Sequence, residues 1–184
     1  MMNNNRGYYI FSPMNIINTF RKLWEQHSIW TRSFIISAAH DLPDIQYVTE
    51  RLLRNPSDFA SALEPFYGDE SLEFERLLRD HLLIAADLVN AAKNGDTNAA
   101  NAARRRWYMN ADQIAQFLAQ INPYWSYEEW MDMLNMHLRL VEQEATLRLQ
   151  GQYEQDVALY DTLEEQALEM ADVMSSGIIS QFRL

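Results

Sequence analysis

The chain contains no cysteine in its 184 residues. This absence excludes disulfide bonds, thiolate metal sites and cysteine nucleophiles. Long apolar runs are missing as well. A helix that spans a bilayer requires about 18 consecutive apolar residues, and no such run occurs. Residues 1–7 lack the apolar segment of a secretory signal. The sequence therefore predicts a cytoplasmic protein with no membrane span.

Glycine and proline are scarce, with five of each. No two glycines lie within 20 residues of each other, which excludes the clustered-glycine loops that cradle phosphates. A Gly-x-Ser-x-Gly hydrolase motif is missing for the same reason. Positive charge is also in short supply, and the net charge is −11. Because an acidic surface repels phosphate backbones, we predict no nucleic-acid binding.

The few glycines and prolines fall where helices should begin or end. Ser12-Pro13 and Asn55-Pro56 have the pattern of an N-terminal cap followed by proline in the first turn. Four glycines are predicted to adopt the left-handed backbone conformation that follows a helix C-terminus: Gly68, Gly95, Gly151 and Gly177. The alternating β-branched runs that indicate strands are absent from the sequence. The predicted helices cover about 13–40, 44–54, 56–66, 71–94, 97–121, 127–150 and 153–180.

A histidine motif recurs three times along the chain. Each copy has an aromatic residue seven positions before a histidine and an aliphatic residue four positions before it: Phe20, Leu23 and His27; Phe74, Leu77 and His81; Trp130, Met133 and His137. Successive histidines are 54 and 56 residues apart. A polar residue follows each histidine by 28 or 29 positions, namely Asn55, Asn110 and Glu165. Repeats of this length indicate a copied helical hairpin that cannot bury its apolar stripe alone.

We therefore predict an all-α helical bundle of about six helices, built from three diverged helical hairpins at about 12–68, 69–125 and 126–184. Residues 12–184 form a single domain in this interpretation, and residues 1–11 form a flexible N-terminal arm. The hairpins could close into a bundle or stack as a short array, and the aromatic-rich and acid-rich interior pattern favours closure. Tyr67 and Trp125, at the corners between hairpins, are expected to plug one end of the bundle.

The three histidines share the buried stripe of their helices, because positions i, i+3 and i+7 lie on one helix face. Glu144, seven residues after His137, continues this stripe where the other copies are apolar. A buried carboxylate needs a partner, and the two candidates are His137, two turns back on the same face, and a metal ion. In one hypothesis, each histidine is a core residue that donates a hydrogen bond across the bundle. In the other, His27, His81, His137 and Glu144 converge as ligands of Fe, Zn, Mn or Ni, which accept mixed nitrogen and oxygen ligands.

Two function classes stay open on these observations. The first is a non-catalytic structural or interaction protein that forms a homo-oligomer or docks on a protein partner. The second is a metal-binding bundle with a three-histidine plus glutamate site. No histidine has a glutamate three residues before it, as di-iron helical bundles do. No catalytic residue set is evident, so an enzyme is the least favoured class.

Four stretches of the chain carry a resemblance to known sequences. They are Glu25-Gln26-His27, Arg51-Leu52-Leu53-Arg54-Asn55-Pro56, His81-Leu82-Leu83-Ile84-Ala85-Ala86-Asp87 and Met170-Ala171-Asp172-Val173-Met174. They resemble an uncharacterised family of short bacterial all-helical proteins, from about residue 20 onward. Some similar sequences are labelled acetylglutamate kinase, but amino-acid kinases are α/β proteins with glycine-rich phosphate loops, which this sequence lacks. More loosely, the architecture is similar to ferritin-like and hemerythrin-like bundles, some of which bind iron.

Overall fold

A computed structural model describes residues 11–184, and this part of the chain is helical. Its helices are α1 (Pro13–Ala39), α2 (Ile45–Leu52), α3 (Asn55–Tyr67), α4 (Glu70–Lys93), α5 (Thr97–Ile121), α6 (Tyr127–Leu149) and α7 (Tyr153–Phe182). The predicted all-α bundle is confirmed, with six longer helices and the short α2. Within residues 11–184, no helix combines the length and the apolarity that crossing a bilayer needs. Residues 1–10, most of the predicted N-terminal arm, lie outside the described residues.

The hairpins close into a bundle because α1 packs extensively along α7. The first and last long helices of the chain are therefore neighbours, as they would not be in a stacked array. Helix α1 also contacts α3, α4 and α6, so it lies against all three hairpins. Buried apolar side chains from all seven helices form one continuous core. Burial of this shared core is the main stabilising contribution to the fold.

Local sequence signals set most of the helix ends. The Ser12 side chain accepts a hydrogen bond from the Asn15 backbone N–H, and Ser126 caps α6 in the same way through Glu129. The chain leaves α3, α4 and α6 through glycines with positive φ, as predicted: Gly68 at 55°, Gly95 at 69° and Gly151 at 71°. Non-glycine residues rarely adopt this conformation.

Two of the predicted helix-end residues were assigned wrongly. Gly177 lies inside α7, where its missing side chain leaves room for Trp125, since a Cβ atom there would be 1.9 Å from the Trp125 Nε1 atom. The Asn55 side chain does not cap α3. It is fully buried and hydrogen-bonded to His27 of α1. In both cases the residue type is explained by a contact with a residue distant along the chain, rather than by a helix end.

Aromatic side chains fill one end of the bundle. The Trp125 side chain is 2% exposed, and its ring centroid lies 5.6 Å from that of Tyr67. Phe182 of α7 packs on Tyr67 at 5.5 Å and on Phe66 at 5.2 Å. Phe11, the last residue of the predicted arm, stacks edge-on against Phe66. The prediction that Tyr67 and Trp125 lie together at a bundle end agrees with these contacts.

Candidate functional site: a buried histidine centre

The structure brings the three repeated histidines together in the middle of the bundle. His27 lies on α1, His81 on α4 and His137 on α6, and each is at most 2% exposed. The ring centroid of His27 is 5.5 Å from that of His137 and 6.2 Å from that of His81. We call these three side chains the histidine centre. The convergence that the repeat suggested is therefore present.

Each histidine ring is held by the same hydrogen-bonded arrangement, which we call the histidine–amide clamp. The Nδ1 atom of the ring faces the side-chain oxygen of an Asn or Gln on the other helix of its hairpin. The three pairs are His27 with Asn55 at 3.1 Å, His81 with Asn110 at 2.9 Å and His137 with Gln166 at 3.0 Å. The amide nitrogen then donates to the backbone carbonyl four residues before the histidine: Leu23 at 3.0 Å, Leu77 at 3.1 Å and Met133 at 3.0 Å.

The clamp determines which ring nitrogen carries the proton. A backbone carbonyl can only accept, so the amide nitrogen must face it and the amide oxygen must face the ring. The ring therefore donates from Nδ1, and Nε2 keeps a lone pair that can accept a hydrogen bond or bind a metal ion. In metal sites, ligating histidines commonly have their second ring nitrogen anchored in this way.

Tryptophan indoles surround the histidine centre. Trp107 Nε1 donates to the Nε2 atom of His81 at 3.1 Å, so both nitrogens of that ring are hydrogen-bonded. The Trp24 ring packs on His27 at 5.5 Å and on His137 at 6.5 Å. The Nε1 atoms of Trp24 and Trp130 are buried without a hydrogen-bond partner. The surroundings are thus apolar in bulk, with indole N–H groups as further donors.

Burial keeps all three imidazoles neutral. Desolvation is the largest cause that lowers the pKa of each ring, bringing that of His81 to about 3 and that of His137 to about 4. The pKa of His27 also lies well below its usual value, because the ring is buried and a charge on either neighbouring histidine would repel its own. The amide oxygens oppose this effect, since they would stabilise a protonated ring. The centre therefore offers neutral nitrogen atoms.

Glu144 lies apart from the histidine centre. It is two helical turns beyond His137 on α6, which corresponds to about 10 Å along the helix axis. Its carboxylate pairs with Arg32 of α1. Arg32 in turn binds both carboxylate oxygens of Asp156 on α7, at 2.9 and 3.1 Å, and Arg148 pairs with the same aspartate. These four side chains form a largely buried charge cluster. The partner of Glu144 is therefore Arg32, and the expectation that it could be His137 is wrong, because His137 pairs with Gln166.

The charge cluster leaves Glu144 incompletely compensated. Its side chain is 1% exposed, and one carboxylate oxygen has no hydrogen-bond partner. Desolvation raises the pKa of Glu144 to about 7, while Arg32 acts in the opposite direction. The Arg32 guanidinium also lies over the Tyr160 ring, 4.9 Å from its centroid. Glu144 is therefore a carboxyl group that changes its charge near neutral pH.

The predicted ligand set of three histidines and Glu144 is only partly assembled. The histidines meet, while Glu144 is engaged by Arg32. Across residues 11–184, no group of three or more histidine, aspartate or glutamate side chains is placed to hold a metal ion. A role for the histidines as metal ligands stays a prediction.

The repeat identified two of the three residues that hold the histidines, Asn55 and Asn110, without indicating their role. In the third copy Glu165 was aligned with them, but Glu165 is exposed and Gln166 makes the third clamp. The signal was available in the spacing, because His81 and His137 are each followed by their amide partner after 29 residues. Amide side chains at that spacing, rather than polar residues in general, identify the clamp.

Comparisons with known protein families, with curated proteins and with solved structures give no significant match. The resemblance to a family of short bacterial helical proteins therefore stays a prediction.

Proposed function

We propose that this chain is a non-catalytic helical-bundle protein that acts by associating through its surface. The burial of the histidine centre and the anchoring of each ring through Nδ1 carry the non-catalytic part of this proposal. Each ring donates to an amide, His81 also accepts from Trp107, and no ring is more than 2% exposed. A general acid or base must reach its substrate within hydrogen-bond distance. Buried, neutral and hydrogen-bonded rings instead fit the hypothesis that each histidine is a core residue.

A groove between α4 and α5 is a surface suited to association. We call it the α4–α5 groove; it is lined by Asp80, Leu83, Ile84, Asp87, Arg106 and Met109. Leu83 is 45% exposed and Met109 is 64% exposed, which leaves apolar area in contact with water. Removing such area from water favours contact with a partner.

The charges of the groove favour a second copy of this chain as the partner. Two copies that each carry a net charge of −11 repel each other, so a contact between them needs a locally balanced surface. The α4–α5 groove provides one, because Asp87 and Arg106 pair at 2.9 Å, and Asp80 pairs with Arg76 at 2.8 Å. A patch with both signs of charge can face its own copy across a twofold axis.

Light scattering tests the association directly. We expect a mass near twice the 21.6 kDa of one chain at micromolar concentration. Leu83→Glu places two like charges across the twofold contact and should return the mass to one chain. Tyr47→Glu makes the same charge change at a side chain that is 70% exposed and outside the groove, and should leave the dimer intact. A single-chain mass at every concentration, or equal effects of both variants, would refute the proposal.

One observation favours a second candidate function, the binding of a transition-metal ion. The clamps direct Nδ1 protons to amide oxygens, which leaves an Nε2 lone pair on each of the three rings. The ring centroids of His137 and His81 lie 5.5 and 6.2 Å from that of His27. Such anchored rings suit Fe, Zn or Mn. Binding through all three rings would require His81 to give up its hydrogen bond from Trp107.

Metal analysis separates this candidate from the first. Protein purified without a histidine tag would carry about one ion per chain, as would His40→Gln, because His40 is an exposed histidine outside the centre. His137→Gln would lose the ion. If wild-type protein stays metal-free after incubation with Fe(II), Zn(II) or Mn(II), and its melting temperature is indifferent to chelator, the metal candidate fails. Neither result affects the dimer mass, so the two proposals can be judged independently.

A further inference from the structure

A second feature of the interior is an apolar cavity beside the histidine centre. It lies between α1, α4, α5 and α6 and has a volume of about 50 Å³. Trp107, which donates to His81, forms part of its wall together with Ile35, Leu82, Ala85, Val89 and Val141. The cavity exists because some wall residues are small: Ala85 and Ala145 lie at positions where larger side chains would fill it. The cavity is distinct from both the α4–α5 groove and the charge cluster.

The inner part of this cavity is poorly suited to water. A buried water needs two to four polar partners. Thr31 Oγ1 is the buried polar atom in the wall that has no hydrogen-bond partner, while the indole N–H of Trp107 is already used. The other polar side chains of the wall, Arg104, Glu142 and Thr146, already have hydrogen-bond partners. In the inner part a single hydroxyl is therefore too few partners for a water molecule. An apolar group is therefore the better occupant.

The size and shape of the cavity select a narrow occupant. About 50 Å³ exceeds the roughly 10–15 Å³ that one water needs and falls short of the roughly 150 Å³ of a cavity that binds benzene. A six-membered ring would not enter without displacing the wall. The end of a linear aliphatic chain would, with the remainder of the chain extending toward the exposed rim at Ala92 and Thr146.

Arg104 and Glu142 line the same cavity and are partly exposed to solvent. Arg104 Nε donates to both carboxylate oxygens of Glu142, at 2.9 and 3.1 Å, and its Nη1 donates to Asn101. The pair presents a donor and an acceptor with little net charge. A hydroxyl group can use both. A carboxylate would meet Glu142 and the net charge of −11, and an ammonium group would meet the Arg104 guanidinium at close range.

From these observations, we propose that the cavity between α1, α4, α5 and α6 binds an uncharged amphiphile with a linear aliphatic chain. The end of the chain lies against Trp107 and Ala85, and the hydroxyl or similar head group lies at Arg104 and Glu142. This inference does not depend on self-association or on metal binding, although Trp107 of the cavity wall also donates to His81. The proposal gives a ligand class to a cavity whose walls do not include the amide residues of the histidine–amide clamps.

A titration with simple alcohols tests the proposal. The probe is 1-hexanol, followed through the indole N–H resonance of Trp107 in NMR spectra of the whole chain, with the signal assigned by its loss in Trp107→Phe. We expect a saturable shift with 1-hexanol and at least a tenfold weaker response to cyclohexanol, which has the same carbon count in a ring. We also expect hexanoate and hexylamine to bind more weakly than the alcohol. Equal responses to ring and chain, or no saturable shift, would overturn the proposal, and tighter binding of hexanoate would overturn the uncharged head group.

Two variants make the test specific to the cavity. Ala85→Leu fills the space and should abolish the 1-hexanol shift, whereas Ala102→Leu, at an exposed position on α5 outside the cavity wall, should leave it unchanged. If Ala85→Leu does not fold, Thr31→Val provides the second test. It removes the unpartnered hydroxyl without changing the shape of the side chain, and should strengthen 1-hexanol binding several-fold. An unchanged or weaker affinity in Thr31→Val would contradict the proposed position of the chain end.

Discussion

Acidification should destabilise this protein through its histidine centre. Three rings have a pKa below the ordinary value of 6.5, so each is neutral in the folded chain and takes up a proton on unfolding below about pH 6.5. For groups whose folded pKa is depressed, the stabilisation is present above the unfolded pKa and is lost as the pH falls. The histidine centre therefore makes the folded state less stable as the pH falls from 6.5 toward 4.

Glu144 acts in the opposite direction in the same range. Its folded pKa of about 7 lies above the ordinary 4.5, so the folded chain holds a proton there that the unfolded chain has lost. A group of this kind favours the folded state below pH 4.5, and its contribution is lost as the pH rises through 7. Between pH 5 and 6, unfolding thus takes up about three protons at the histidines and releases about one at Glu144. The net uptake is about two protons.

The size of the effect follows from this balance. Each proton changes the free energy of unfolding by about 1.4 kcal/mol per pH unit, so the wild-type value should fall by about 3 kcal/mol from pH 6 to pH 5. His81→Gln removes one titrating ring and should reduce the fall to about 1.4 kcal/mol, whatever it does to the stability at pH 7. His40→Gln, at an exposed histidine outside the centre, is the matched control and should keep the wild-type slope.

Urea unfolding followed by tryptophan fluorescence, repeated at half-unit steps from pH 5 to 7, measures these slopes. Linear extrapolation gives the free energy of unfolding at each pH. A slope near zero in the wild type would show that the histidines can be protonated in the folded chain. A slope that His81→Gln leaves unchanged would show that His81 is not among the groups responsible. Either result refutes the assignment of acid sensitivity to the histidine centre.

Three further substitutions probe the other contacts. Glu144→Gln removes the opposing group and should steepen the wild-type fall between pH 6 and 5 to about 4 kcal/mol in the same urea assay, whereas an unchanged slope would contradict a raised pKa at Glu144. Gly177→Ala forces a Cβ atom to 1.9 Å from Trp125 Nε1 and should cost about 2 kcal/mol of unfolding free energy, compared with less than about 0.5 kcal/mol for the exposed Ser176→Ala. Asn110→Ala leaves His81 Nδ1 and the Leu77 carbonyl without their amide partner and should cost about 2–4 kcal/mol, while the exposed Asn90→Ala should be nearly neutral in thermal or urea unfolding.

The helices could be predicted from the sequence because their ends are determined by nearby residues. Ser12 caps the helix that begins one residue later, and Gly68, Gly95 and Gly151 supply the positive φ that ends the helices before them. Gly177 was mistaken for a fourth such end because the residue that it accommodates, Trp125, lies in another hairpin. A glycine in a helix and a glycine after a helix look alike when the partner is distant along the chain.

The same limit explains which parts of the site could be predicted. The convergence of His27, His81 and His137 followed from a repeated spacing and the shared helix face, both of which are visible in the sequence. The environment of Glu144 could not be predicted in this way, because Arg32 and Asp156 lie on other helices and no periodicity in the sequence links them to Glu144. Its position on an apolar stripe correctly indicated burial and the need for a partner. The identity of the partner required the packing of α1, α6 and α7.

The clamps also explain why the bundle can hold three histidines in its interior at all. A buried polar group is costly unless it is hydrogen-bonded. Each amide accepts from one ring nitrogen and donates to one backbone carbonyl, and in doing so it joins two helices. Leucine would fill the same space without requiring an amide partner, but it would not fix the rotation of one helix against the other. The directional hydrogen bonds thus set the register of each hairpin, and the three rings then meet because the hairpins pack around a common interior.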